Sequence, residues 1–123
     1  MNRPRFSDPA RVEAAFYDAF ERADVEAMMA AWANHDQVVC IHPMGPVLAG
    51  RHAVRASWEQ MFQGGPRFHF RVLPIASLPK SEDVVIHIVE EHIRIGRQAA
   101  AQTPVLATNA YHLTADGWRM ARP

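Results

Sequence analysis

The 123-residue chain has a single cysteine, no excess of charge of either sign and no long apolar run. Each absence removes a class of protein. Cys40 has no partner for an internal disulfide and none for a thiolate metal site. Lys plus Arg and Asp plus Glu stand at 13 each, so the formal net charge is zero. No electrostatic footprint for nucleic acid or an anionic membrane exists. The apolar runs fall far short of a membrane span, and no basic-then-apolar leader opens the sequence, so a cytoplasmic protein is expected. There is no Gly-rich phosphate loop, no Ser-centred nucleophile elbow, no internal repeat and no interdomain linker.

What is present is apolar. Hydrophobic residues make up 49% of the chain, which argues against disorder and for one domain, 1–123, with a real core. Zero net charge with that apolar content favours self-association, and a homodimer is expected.

The stretch 24–50 organises the rest. Asp24 can cap a short helix whose stripe is Val25, Met28, Met29 and Trp32. Asn34, His35 and Asp36 form a turn cluster. Residues 37–42 read as a strand apolar on both faces, so a covered strand is expected. A Pro43-Met44-Gly45-Pro46 turn and a short return strand, 47–49, follow. Before this unit, residues 1–6 read as a loose lead-in. Asp8 and Pro9 then start a helix whose buried face is Val12, Phe16, Ala19, Phe20 and Ala23. After it, Gly50 opens a third helix buried through Val54, Trp58, Met61 and Phe62, and Gly64-Gly65-Pro66 stops it.

Four strands complete the chain. Residues 67–73 alternate, with Phe68, Phe70 and Val72 on one side and Arg67, His69 and Arg71 on the other, and 74–81 read as a loop. Residues 83–95 form a long strand in which His87 and Glu91 interrupt one apolar face while Glu90 and His92 continue the other. A bulge or strong curvature would explain the change of phase. Residues 104–113 make a further strand, Ala115-Asp116-Gly117 a hairpin turn, and 118–122 the last strand. The expected fold is α+β: three helices on the concave face of a cone-shaped, curved, mainly antiparallel sheet, with a pocket between.

This element order and the residues Asp24, Trp32, Asn34-His35-Asp36, His42-Pro43 and Gly50, with Asn109-Ala110-Tyr111 and Asp116-Gly117-Trp118, resemble the nuclear transport factor 2-like superfamily. The similarity is to its SnoaL-like and ketosteroid isomerase-like branch, which has a cystatin-like fold. In the ketosteroid isomerase-like enzymes the residue before this Pro is a proton-moving carboxylate, so the resemblance implies an acid–base role for His42. The helix-one tyrosine of those enzymes matches Phe16, with Tyr17 one residue away, and their buried acid matches Ala110 or Asn109. That acid in ketosteroid isomerase is a known example of pKa tuning. The missing donors point from steroid isomerisation towards the SnoaL-like cyclases, which use one acid or base.

The candidate catalytic residues are therefore His42, Asn109 and Tyr111, and the candidate pocket residues Tyr17, Trp32, Cys40, Trp58 and Phe62. For His42 and Asn109 a purely structural hydrogen bond competes with these roles. Cys40 reads as a small buried hydrophobe. His87, Glu90, Glu91 and His92 are weighed as metal ligands and set aside, because positions five apart on a strand point to opposite faces. No metal and no cofactor are expected. The outer faces of the long strands, with His69, His87, Glu91 or Arg94, are expected to be the dimer surface. Two functions stay open: proton transfer on a small apolar carbonyl compound, and a non-catalytic ligand-binding or dimerisation module.

Overall fold

The computed structural model describes residues 4–35, 37–41, 45–97 and 103–122. Helix α1 spans Pro9–Arg22. Asp8 accepts from the Arg11 amide at 2.9 Å, and Pro9 fills the first turn, where its missing N–H is not needed. Ala23 ends the helix in the left-handed region, φ 54°, with its amide turned back to the Ala19 and Phe20 carbonyls. Helix α2, Val25–Ala31, is capped by Asp24, which accepts from the Ala27 amide at 3.0 Å.

Strands β1, Val39–Ile41, and β2, Val47–Ala49, pair antiparallel as a separate two-stranded sheet. The expected covering of β1 is not found. Only Cys40 is buried, while Ile41 and Val47 stand exposed. Helix α3, Arg51–Phe62, follows Gly50. The Arg51 guanidinium donates to the carbonyls of Met29, Trp32 and Ala33, closing the C-terminal end of α2.

The main sheet is an antiparallel meander of β3 (Phe68–Pro79), β4 (Val84–Ile95), β5 (Val105–Thr114) and β6 (Gly117–Arg122). With three helices on this curved sheet, the architecture is the expected α+β one. Residues 74–79 are strand rather than loop. The register slips between Pro74 and Ala76, and β3 continues to Pro79. It tolerates both prolines because β3 is an edge strand, where an N–H can be lost on the open side. The irregularity therefore sits in β3, not in β4. From Val84 to Glu91, β4 pairs with β5 without a slip. His87 and Glu91 are thus inward residues of an unbroken strand, and not signs of a phase change.

The core lies between the helices and the inner face, and includes Phe16, Met28, Met29, Trp32, Trp58 and Met120. A parallel bridge joins Trp32 to Met120, and the Ala33 amide donates to the Met120 carbonyl at 2.9 Å. Residues 4–6 are tied down rather than loose. The Phe6 carbonyl accepts from the Trp118 amide at 3.0 Å, and the Arg119 guanidinium lies 5.0 Å from the Phe6 ring centroid. Gly117, φ 106°, is required at this contact, because a Cβ there would come within 2.9 Å of the Phe6 carbonyl oxygen.

Candidate functional site

Alternation puts Val85, His87, Val89 and Glu91 of β4 on the inner face, opposite Tyr111, Asn109, Ala107 and Val105 of β5. Helix α1 crosses above them, and Glu13 and Tyr17, one turn apart, reach the same strands. Six polar side chains meet at this crossing. Glu13 Oε2 accepts from the Tyr111 hydroxyl at 2.6 Å and from the Asn109 amide at 3.4 Å, and His87 Nδ1 lies 3.0 Å from it. The Tyr17 hydroxyl donates to Glu91 Oε2 and accepts from Asn109 Nδ2 at 3.1 Å.

Asn109 is almost fully buried, and its Nδ2 orientation is fixed by chemistry. Both its partners are acceptors, because the Tyr17 hydrogen is already used on Glu91. Its Oδ1 is left buried without a hydrogen-bond partner. Burial pushes both tyrosine hydroxyls far above the usual phenol range, and Glu91 beside Tyr17 and Glu13 beside Tyr111 push the same way. Both phenols stay protonated. Burial also raises the Glu91 carboxyl above its ordinary range, with the Tyr17 hydrogen bond opposing.

A cavity of about 690 Å³ opens beside this network, between α1 and the bulged part of β3. Most of its wall is apolar, with Ala14, Phe70, Val72, Ile75 and Val89. Glu13, Tyr17, Ser77 and His87 supply the polar groups. The Glu13 and His87 side chains keep 16% and 15% of their surface exposed, so both are reachable from this side.

The expected site residues divide sharply. Tyr17, Asn109 and Tyr111 come together, and Tyr17 lines the cavity. His42 and Pro43 lie outside the described residues, as does Asp36. Trp32, Cys40 and Trp58, expected at the pocket wall, are core residues with no share in it. Phe62 lines a different recess, with Phe20, Met61 and Phe68. His87 and Glu91, expected on the outer face, point inward to α1, where Glu13 and Tyr17 bond them. His69 and Arg94 are exposed on the outer face, and His92 pairs there with Glu90 at 2.6 Å. His87 and His92 therefore do face opposite ways. Glu13 is the residue that sequence reasoning missed. Its signal was its place one turn before Tyr17, on the same side of α1.

The model of the SnoaL-like domain matches residues 10–122. The chain belongs to the SnoaL-like family, within the nuclear transport factor 2-like superfamily. Among solved structures, a Thiobacillus denitrificans chain described as a calcium/calmodulin-dependent protein kinase type II association domain is 44% identical. The match covers 97% of this chain and 94% of that one, with a TM-score of 0.90. A Streptomyces avermitilis structure described as a dehydratase of the NTF2-like family is 28% identical, over 92% and 88% of the two chains, with a TM-score of 0.78. A ketosteroid isomerase-like protein from Erwinia carotovora atroseptica, 19% identical over 92% and 88%, with a TM-score of 0.71, shares the fold. Among curated proteins, the Arabidopsis thaliana F-box protein SKIP8 matches at 33% identity over 61 residues. That match spans 50% of this chain and 26% of the F-box protein. Among the described residues, no helix of this SnoaL-like domain is long and apolar enough to cross a membrane.

Proposed function

We propose that this SnoaL-like chain is a small-molecule pocket protein in which His87, oriented by Glu13, takes a proton from the bound molecule. The observation that carries the reading is His87 Nδ1 lying 3.0 Å from Glu13 Oε2 at the wall of a largely apolar cavity. A carboxylate only accepts, so Nδ1 holds the hydrogen, and in the neutral ring the lone pair is on Nε2. Apolar walls strengthen such a pair. The base is then on β4, in place of His42. The substrate class remains a small apolar carbonyl compound with an exchangeable proton on the adjacent carbon.

One observation favours the second reading, a ligand-binding module without catalysis. The hydroxyl hydrogens of Tyr17 and Tyr111 are both committed to carboxylates, so neither is free to hold a developing oxyanion. Deuterium exchange separates the two. The wild type should speed wash-in of deuterium next to the carbonyl of cyclohexanone in D2O, and His87→Gln should lose that rate while still binding the ketone. A wild-type rate equal to that of buffer leaves the binding module.

The exposed outer sheet face, with His69, Arg94 and Leu106, is the surface we assign to a second copy of the chain. The 44% identical Thiobacillus chain, described as an association domain, supports that reading. A monomer in sedimentation at micromolar concentration would count against it.

A further inference from the structure

The polar end of the cavity is short of donors. Glu13 Oε2 is saturated by its contacts with Tyr111, Asn109 and His87, whereas no described residue donates to its Oε1. The His87 ring is bonded through Nδ1, which leaves Nε2 as an open acceptor. Asn109 Oδ1, buried within the same network, is a third acceptor without a partner. Of the hydroxyls nearby, those of Tyr17 and Tyr111 are spent on carboxylates, which leaves that of Ser77, across from His87 on β3, as a single donor for three acceptors. Among the described residues, no Lys or Arg lines the cavity. Two aromatic rings, Tyr17 and Phe70, line it beside Glu13, their centroids 5.2 Å apart.

Open acceptors at the wall of a cavity favour a ligand that donates to them. A carboxylate with one free oxygen beside aromatic rings suits a positive charge. We infer that the cavity takes a small apolar amine in its protonated form, its nitrogen donating to Glu13 Oε1 and leaving His87 Nε2 for the proton on carbon, and that it disfavours carboxylates and phosphates. The inference rests on the pocket reading above and adds the charge of the ligand to it. A carboxylate placed at the same point would face Glu13 with no cationic side chain to offset the repulsion. The amine and the carbonyl can belong to one molecule.

The test uses three probes on one carbon skeleton: benzylamine, benzyl alcohol and benzoate. Each is titrated into the wild-type protein at pH 7 and followed by NMR at Tyr17, Phe70 and Val89. Benzylamine should bind about tenfold more tightly than benzyl alcohol, the size of one charge-assisted hydrogen bond, and benzoate should bind most weakly. Glu13→Gln should abolish most of the preference for the amine over the alcohol. If that variant does not fold, the wild-type ranking decides alone. Benzoate binding as tightly as benzylamine, or tightening as the pH falls through the imidazole range, would overturn the inference, because it would mean that protonated His87 makes an anion site. Equal affinity for all three probes at the cavity also overturns it, but leaves the pocket reading standing. Cavity signals unmoved by all three overturn both.

Discussion

The Tyr111 hydroxyl donates to Glu13 Oε2 at 2.6 Å, linking the middle of β5 to the first turns of α1 across 98 residues of sequence. Neither partner could hold its place alone. A buried phenol needs an acceptor, and a largely buried carboxylate is held by the donors around it. The bond fixes the carboxylate plane, and so sets where His87 Nδ1 can meet it.

Tyr111→Phe is therefore expected to destabilise the fold by about 1–3 kcal/mol, the range for removing one partner of a charged hydrogen bond. Urea unfolding measures it. The same substitution in a Glu13→Ala background, which has no side-chain acceptor at this position, should cost clearly less, because the two residues share one interaction. Equal costs in both backgrounds would show that the bond contributes nothing to stability.

The helices were legible because their signals are local. Asp8-Pro9 and Asp24 are caps that act within one turn, and both are used as caps. Alternation made the start of β3 legible, and interrupted alternation made β4 legible. The end of β3 was not, because Pro74 and Pro79 look like breakers until the strand is known to be an edge. The site was half legible. Tyr17, Asn109 and Tyr111 stood out as polar residues on apolar elements. His87 and Glu91 were visible as interruptions of an apolar face, but alternation alone cannot say whether such residues face water or partners on another element. Here the partners are Glu13 and Tyr17, more than seventy positions away. Non-local pairing of that kind leaves no local periodicity.

Cys40 should be inert in the folded protein. It is buried in β1, and burial pushes its thiol up to about 12, so almost no thiolate exists at neutral pH. Ellman's reagent at pH 8 should react only as fast as the chain unfolds, and fully in urea. Fast stoichiometric labelling of native protein would show that the β1–β2 hairpin opens readily.

Glu91 gives a test of the network by pH. Burial raises its carboxyl above the ordinary value near 4.5, Glu13 pushes the same way, and the Tyr17 hydrogen bond opposes. The folded chain thus binds this proton more tightly than the unfolded chain does. A raised acid contributes stability below its unfolded pKa and loses it as the pH rises through the folded value. The window starts near the ordinary carboxylate value and runs upward from there. Glu91→Gln keeps an acceptor for the Tyr17 hydroxyl and removes the buried charge. It also weakens that hydrogen bond, but burial is the larger effect and sets the sign. The variant should then be more stable than the wild type at pH 7, by about 1 kcal/mol. Its advantage should shrink as the pH is lowered from 7 to 5, because the raised carboxyl takes up its proton before an ordinary one does. Urea midpoints at the two pH values measure the difference. A variant less stable than the wild type at pH 7, or a gap that does not change with pH, would mean that the Tyr17 hydrogen bond outweighs burial and that Glu91 stays ionised throughout.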